Sequence, residues 1–304
     1  MKQLVVLSGK GGTGKTSLSA ALAQLASSEM NLTLVDADAD ASNLALLLDA
    51  ADGERHEFIG GKIAVIDPLL CKGCGECLDV CRFDALEPGI PTKVVDLACE
   101  GCGSCSAICP VEAISMQDVV AGHWTDSATS AGTLFHARLA AGMENSGKLV
   151  SELRRQAATH AKASGGELIL IDGPPGIGCP VHASVTGANL ALLVTEPSLS
   201  ALHDLERALD TVAGFGIPAR VVLNKADLSS SMAELVREFC RQRNLPMLGE
   251  IPFLEEIQEA VEAGQAMTSV ENEELQAKLK TIWLGLKNLL GKDRVEESTL
   301  FEKQ

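Results

Sequence analysis

Residues 4–16 read LVVLSGKGGTGKT, and the reading of this stretch decides the fold. LVVLS is a short apolar run suited to a buried parallel strand, the glycines interrupt it, and TSLSAALAQLASS at 16–28 reads as a helix. Strand, loop and helix in that order are the context required by the pattern G-x-x-x-x-G-K-[ST], which Gly9, Gly14, Lys15 and Thr16 fill. Glycines let backbone N–H groups curl around phosphate oxygens, the lysine reaches the terminal phosphates, and the hydroxyl ligates magnesium. Gly9, Lys10, Gly11, Gly12, Thr13, Gly14, Lys15, Thr16 and Ser17 are therefore the candidate nucleotide-phosphate loop.

Other apolar runs end in polar residues suited to the same ligand. LTLVDADADASNL at 32–44 sets Asp36, Asp38 and Asp40 at a strand's C-terminal end. An α/β sheet binds its ligands there, and carboxylates at that place can hold magnesium-bound water or orient an attacking water. LILIDGPPG at 168–176 carries Asp172, placed to orient magnesium through water. Pro174, Pro175 and Gly176 make the following segment a switch-like turn. VVLNKAD at 221–227 presents Asn224 to the edge of a base, and its match to N-K-x-D, a guanine-reading pattern, leaves GTP open beside ATP. Strand runs near 4–8, 32–36, 168–172, 188–195, 220–224 and 247–251 alternate with helical patterns, which predicts an α/β fold with a mostly parallel sheet covered by helices.

Residues 62–118 interrupt this alternation. CKGCGECLDVCRFDALE at 71–87 and CEGCGSCSAICPVEAIS at 99–115 repeat with a period of 28 and agree at seven of seventeen positions. Each half offers C-x2-C-x2-C-x3-C, and the pair resembles a two-cluster bacterial ferredoxin, where three close cysteines wrap one cluster and the fourth ligates the other. The resemblance implies one 4Fe-4S cluster on Cys71, Cys74, Cys77 and Cys109, and another on Cys99, Cys102, Cys105 and Cys81. Zinc is the formal alternative for soft thiolates, but zinc motifs do not interlock in this way. Clusters that only staple a small domain are a further alternative. Pro110 follows the fourth cysteine of the second half where Arg82 stands in the first, either as a charge near a cluster or as a solvated side chain. The nine acidic and four basic residues of 62–118 fit a basic redox partner and low cluster potentials. The expected domains are 1–61 with 119–304, a discontinuous nucleotide-binding domain, and 62–118, an inserted α+β ferredoxin-like domain.

The whole chain has 304 residues, 46% hydrophobic and 22% charged, enough for one large core and a small second one. Its 41 acidic and 25 basic residues give a formal charge of -16, which disfavours nucleic acid and anionic lipid as partners. The apolar run at the N-terminus meets glycines too early for a signal peptide, and nothing approaches membrane-spanning length, so the expectation is cytoplasmic. Eight of the ten cysteines lie in the two repeats, where a reducing compartment favours metal over disulfide.

The second lysine, Lys10, makes the loop K-G-G-x-G-K-T, and in this deviant Walker A form the chain resembles P-loop ATPases of the MinD, ParA, Mrp and nitrogenase iron protein superfamily, of the CobQ/CobB/MinD/ParA type. That resemblance implies ATP and Mg2+ and a dimer, either a homodimer or a heterodimer with a paralogue. It implies that Lys10 contacts phosphates across the interface, and that Asp38 takes the catalytic aspartate's place with Asp36 before it. Relatives use an asparagine like Asn224 for adenine, which turns the base toward ATP. Asp40 stands where MinD has glycine. In the nitrogenase iron protein a cysteine at the offset of Cys179 ligates a bridging cluster, but its second cysteine has no counterpart in AAGMENSGKLVSELRR at 140–155. Cys179 is accordingly read first as a small buried residue, then as a transient cluster or thiol site, then as a ligand. Asn145 or Ser146 would cap the helix there, near Lys148, facing the nucleotide or dimer interface.

Cys240 in MAELVREFCRQRN reads as core, and His136 and His182 as packing or surface groups. LQAKLKTIWLGLKNLLGK at 275–292 has Leu275, Leu279, Ile282, Leu286 and Leu289 at helical spacing. Docking on the sheet is preferred to a membrane contact because the acidic stretch VEESTLFEKQ follows. The leading expectation is an ATPase whose dimer closure or hydrolysis is coupled to electron transfer through two 4Fe-4S clusters to a redox or iron-sulfur partner. The alternatives are a cluster carrier of the Mrp kind, disfavoured by the lack of its C-x-x-C pair, and a MinD-like spatial switch with redox-sensing clusters.

Overall fold

In the computed structural model, which describes residues 1–39, 42–141, 143 and 145–291, the stretch at 4–16 becomes a strand, a glycine loop and a helix. Asp40 and the tail VEESTLFEKQ lie outside the described residues. The elements begin with β1 (Lys2–Ser8), α1 (Lys15–Ser27), β2 (Leu32–Asp36), α2 (Leu44–Leu47), β3 (Glu54–Ile66), α3 (Glu76–Val80), β4 (Leu86–Glu87) and β5 (Lys93–Val94). Then come α4 (Ser104–Ile108), β6 (Ile114–Thr129), β7 (Gly132–Leu139), α5 (Gly147–Ser164), β8 (Leu168–Pro175), α6 (Cys179–Val185) and β9 (Leu190–Thr195). The chain continues with α7 (Leu199–Gly214), β10 (Ala219–Leu223), α8 (Ser230–Gln242), β11 (Met247–Glu250), α9 (Glu255–Glu262) and α10 (Glu273–Leu290).

These residues form two compact units, Met1–Arg55 with Trp124–Arg138 and Asn145–Gln304, and His56–His123 with Leu139–Glu144. The first unit is built on a sheet of order β11-β10-β9-β1-β8-β2-β7, continued through β6 to β3, two long strands whose chain passes into the second unit. Every pair from β11 to β7 is parallel. Leu4, Val6, Leu34, Leu170 and Leu192 share one core cluster with α1 and α10. Val5, Val35, Ile171 and Leu193, of the other parity, are buried too, so both strand faces are covered. That double burial is why the strands read as unbroken apolar runs. It also brings the loops after β1, β2, β8, β9 and β10 to the C-terminal edge of the sheet.

α10 docks by Leu275, Leu279, Ile282, Trp283, Leu286 and Leu290. Leu290 is the buried residue of its last turn, while Leu289, expected on that stripe, is only partly buried. β3, β6 and β7 were not foreseen. They carry His, Gly, Asp and Thr among their apolar residues and are buried unevenly, so they give no apolar run.

The second unit repeats its backbone. α3 and α4 start 28 residues apart, each after a left-handed glycine (Gly75, φ 86°; Gly103, φ 78°). Asp84 and Glu112, also 28 apart, share φ near 50°. Any Cβ at such a glycine would be strained, which explains the paired C-x-G-C-G-x-C spelling. β4 and β5 form a small antiparallel pair. A minor core joins Ala64, Cys77 and Ile114 with Leu78, Val94, Cys99, Cys105, Cys109 and Met116.

Candidate functional site

In the first unit, β1 delivers the chain to Gly9 and α1 takes it up from Gly14, whose φ of 87° only glycine adopts without strain. A Cβ there would also meet Asn224 Nδ2 at 2.2 Å. Gly11 and Gly12 open onto space with no atom within 4 Å of where a Cβ would lie, and the Thr13 hydroxyl is buried with no hydrogen-bond partner among the described residues. An open glycine cradle ahead of a thirteen-residue helix, whose first N–H groups have no intrahelical partner, fits a phosphate chain.

Behind the cradle, Asp172 is fully buried and accepts from Lys15 Nζ at 2.9 Å, Ser19 Oγ at 2.7 Å and Thr16 Oγ1 at 2.7 Å. A buried carboxylate is stable only with such partners. The cation and hydroxyl that would meet phosphate and magnesium are thus preorganised against it. Asp36 stands beside it in register on β2. Its carboxylate accepts from Asp38 N at 3.1 Å, Ser42 Oγ at 2.8 Å and Leu44 N at 3.1 Å, so it shapes the loop that carries Asp38. Burial, and then the charge of Asp172, push the Asp36 carboxyl up to about 7. Ala37 is held on both sides, its N–H by the Asp172 carbonyl at 2.9 Å and its carbonyl by Asn145 Nδ2 at 2.9 Å. Ser146, not Asn145, caps α5, accepting from Leu149 N at 3.4 Å.

Lys10 is turned onto its own chain. Its Nζ pairs with Glu196 Oε1 at 2.7 Å and reaches the hydroxyls of Ser198 and Ser200 at 3.3 and 3.2 Å. Glu196 Oε2 also receives Lys225 Nζ at 3.2 Å, and that ammonium donates to the Gly12 carbonyl at 2.8 Å. Burial alone would raise the Glu196 carboxyl, but the two lysines outweigh it and hold it below the usual carboxylate range. The amide nitrogen of Asn224 is committed to the Thr13 carbonyl at 2.8 Å, so this side chain braces the loop rather than standing free toward a base. Asp227, the last residue of N-K-x-D, accepts from Phe253 N at 2.6 Å.

In the second unit, Cys81, Cys99, Cys102 and Cys105 line one cavity with Ala64, Phe83, Ala85, Leu86 and Met116. Cys81 therefore joins the first three cysteines of the other repeat. Burial pushes the Cys105 thiol up, whereas the Ser104 hydroxyl, 3.5 Å from Cys102 Sγ, pulls that thiol down. Burial likewise pushes Cys77 up, while hydrogen bonds led by the Thr92 N–H pull Cys71 down. Cys109 accepts from Ala113 N at 3.3 Å and shares the minor core with Cys77. Among the described residues no three His, Cys, Asp or Glu side chains close on one point as the ligands of a single ion do. Glu100 and Ser104 line the same cavity beside the apolar side chains, and four cysteines around one cavity are the ligand number of a 4Fe-4S cluster.

The profile of the CobQ/CobB/MinD/ParA nucleotide binding domain matches residues 4–267. The chain belongs to this family. It is 38% identical over 228 residues to the uncharacterized protein MJ0578 of Methanocaldococcus jannaschii, across 75% of this chain and 79% of the relative. It is 26% identical over 230 residues to MJ0579 of the same organism, across 75% and 82%. Among solved structures it is similar to the septum site-determining protein MinD of Pyrococcus horikoshii complexed with Mg-ADP, with a TM-score of 0.58 at 19% identity over 95% of this chain and 97% of that one. The MinC:MinD cell division protein complex of Aquifex aeolicus gives 0.55 at 19%, over 96% and 97%. At these identities the likeness is one of fold, an α/β, mostly parallel MinD/ParA-type P-loop fold.

Within that MinD/ParA-type fold, Lys15, Thr16, Asp36, Asp38 and Asp172 gather at one edge of the sheet, with Lys10 and Asn224 at the loop's flank. Cys179 corrects the sequence reading: it is exposed as the first residue of α6, not a small buried residue, because α6 buries the face that carries Val181, Ser184 and Val185. Cys240 is buried, as expected, and burial pushes its thiol to about 11. Sequence reading missed Ser19, Glu196 and Lys225. Ser19 lies one helical turn from Lys15 and Thr16, and Glu196 ends an apolar strand on the sheet's ligand edge, so both had a positional signal. Among the described residues no helix is long and apolar enough to cross a membrane.

Proposed function

We propose that this chain is a Mg-ATP-dependent ATPase of the deviant Walker A type that carries two 4Fe-4S clusters in a ferredoxin-like insertion at 62–118, flanked by nucleotide-binding segments at 1–61 and 119–304. It would act in the cytoplasm as a homodimer, or as a heterodimer with a paralogue, and pass electrons to a basic partner protein. The observation that carries this reading is the cavity ringed by Cys81, Cys99, Cys102 and Cys105. One repeat's fourth cysteine joining the other's first three is the interlock of a two-cluster ferredoxin, and the remaining set is Cys71, Cys74, Cys77 and Cys109.

The clusters would supply one-electron transfer; the chain's own residues do the rest. Gly9 to Ser17 receive the phosphates, with Lys15 on the terminal ones. Thr16 and Asp172 are the residues that would hold the magnesium, the one by its hydroxyl and the other by its carboxylate, and the ion would supply charge neutralisation for the phosphates. Asp38, on the loop shaped by Asp36, orients the attacking water, and Asn224 would have to release the Thr13 carbonyl to meet the base. Lys10 leaves Glu196 to reach phosphate, which makes that ion pair the element that nucleotide must open. The exposed Cys179 is a thiol available to a partner near the segment after Asp172.

The test is anaerobic reconstitution followed by iron, sulfide and ATPase assays, with both potentials measured without nucleotide, with ADP and with a non-hydrolysable ATP analogue. The reading expects about eight irons and eight sulfides per chain. It also expects a nucleotide-dependent shift of about 59 mV or more, a tenfold change for one electron. ATPase activity with no iron uptake would overturn the redox half. It would leave a second reading, a spatial-organising switch, which the fold likeness to MinD cell division proteins favours.

A further inference from the structure

The backbone that leads into Asp38 is fixed one peptide at a time. The carbonyl of Ala37 and the N–H of Asp38 belong to a single planar unit, and both ends of that plane are hydrogen-bonded. Asp36 Oδ1 accepts from Asp38 N at 3.1 Å, and the Ala37 carbonyl accepts from Asn145 Nδ2 at 2.9 Å. The preceding plane is tied to β8, since Ala37 N donates to the Asp172 carbonyl at 2.9 Å. Asp36 and Asp172 belong to strands of the sheet, whereas Asn145 reaches in from the turn before α5. That turn is itself anchored. Ser146 caps α5, and Gly147 lies so close to the start of α6 that a Cβ on it would meet the Cys179 carbonyl at 3.1 Å. Further along α5, Arg154 donates to the carbonyls of Ala183 and Thr186 and to the Gln3 side chain. Asn145 Oδ1 is buried with no hydrogen-bond partner among the described residues, so the one bond its side chain makes there is the one to Ala37.

We propose that Asn145 is a positioning residue for ATP hydrolysis: by holding the Ala37 carbonyl from a rigid helix start, it fixes the direction in which Asp38 meets the attacking water. The inference rests on the ATPase reading above. A side chain that orients water acts only in a narrow range of positions, and a loop reaches that precision through supports on rigid elements. Without the amide of Asn145, the plane between Ala37 and Asp38 would be held at its N–H end alone. It could then turn about that bond and swing the Asp38 carboxylate with it. Phosphate and magnesium fall to Gly9–Ser17 and Asp172, whereas Asn145 acts on the peptide before Asp38. Its loss is therefore expected to spare nucleotide binding and slow the chemical step.

The experiment uses the full chain as wild type, Asn145→Leu and Asn145→Gln. Equilibrium titration with a fluorescent ATP analogue gives the affinity for Mg-ATP, and single-turnover hydrolysis with protein in excess gives the rate of the chemical step. Asn145→Leu keeps the side chain's bulk but has no donor. It is expected to hydrolyse ATP about ten- to hundredfold more slowly, with a Kd within about twofold of the wild type. Asn145→Gln keeps the amide on one further methylene and is expected to recover most of the lost rate. A wild-type rate in Asn145→Leu would overturn the inference. So would a loss of affinity as large as the loss of rate, or Asn145→Gln as slow as Asn145→Leu, because packing rather than the amide donor would then be what matters. If Asn145→Leu does not fold, Asn145→Asp takes its place under the same expectations, being of the same shape and, when ionised, without a donor. Wild-type protein that binds Mg-ATP and hydrolyses none refutes the ATPase reading itself, a result distinct from all of these.

Discussion

Replacing Glu196 by glutamine tests whether nucleotide and carboxylate compete for the same two lysines. Lys10 Nζ and Lys225 Nζ stand 2.7 and 3.2 Å from the two carboxylate oxygens, and the three side chains are 30%, 28% and 17% exposed for Lys10, Lys225 and Glu196. A unit charge pair near 4 Å is worth about 4 kcal/mol at an effective dielectric of 20. Solvent access and the freedom of long side chains reduce a partly exposed pair to about 0.5–1 kcal/mol. Two such pairs make about 1–2 kcal/mol that phosphate must overcome. Glu196→Gln is therefore expected to bind Mg-ATP about five- to thirtyfold more tightly, and the gain should shrink as salt is raised. In a Lys10→Ala background about half of the gain should vanish, since one of the two pairs is already gone. Equilibrium titration with a fluorescent ATP analogue at two ionic strengths measures all of this. Unchanged or weaker affinity in Glu196→Gln would refute the competition. Because the two lysines hold the Glu196 carboxyl below the usual range, the effect should be fully developed at neutral pH and fade only in acid.

Two shorter expectations follow from other residues. Asp36 has a folded-state pKa of about 7 against an ordinary 3.8, so it favours folding while protonated and that contribution is lost as pH rises between those values. Asp36→Asn should flatten the fall of Tm over that window, and an unchanged slope by calorimetry would remove the raised pKa. In protein reconstituted with iron and sulfide, an alkylating reagent at pH 8 should label the exposed Cys179 within minutes and leave Cys240 intact. Cys240 is buried with its thiol pushed to about 11, and peptide mapping that finds equal labelling would contradict both placements.

The sheet was legible where strands are buried on both faces. LVVLS, LTLVD, LILID and LALLV announce themselves because burial on both faces makes all but Ser8, Thr33, Asp36 and Asp172 apolar, and their loops then fall on the ligand edge. β3, β6 and β7 were not legible, since ERHEFIGGKIAVI and ISMQDVVAGHWTDSAT mix charge, glycine and apolar residues without a steady period. At the site, motif spacing located Lys15, Thr16 and Asp172, because the chemistry dictates residue type and offset together. It could not give the partners of Lys10 and Asn224. Glu196 and Thr13 are each separated from them by roughly two hundred residues, and such pairings exist only once the sheet has formed. Cys179 failed for a local reason: a small residue between glycine and proline carries no burial signal, and the start of α6 turns it outward.

The packing of α10 has a spectroscopic consequence. The chain has two tryptophans and no tyrosine, so its ultraviolet emission comes from Trp124 and Trp283 alone. Both belong to the first unit, and Trp283 is 2% exposed, with its indole N–H directed to Glu29 just after α1. Emission will thus report on the body that carries the phosphate loop. A red shift with denaturant marks the exposure of these two buried indoles, Trp283 as α10 lifts from α1 and Trp124 as β6 opens, and it can be followed separately from any visible colour owed to the cysteine-rich unit.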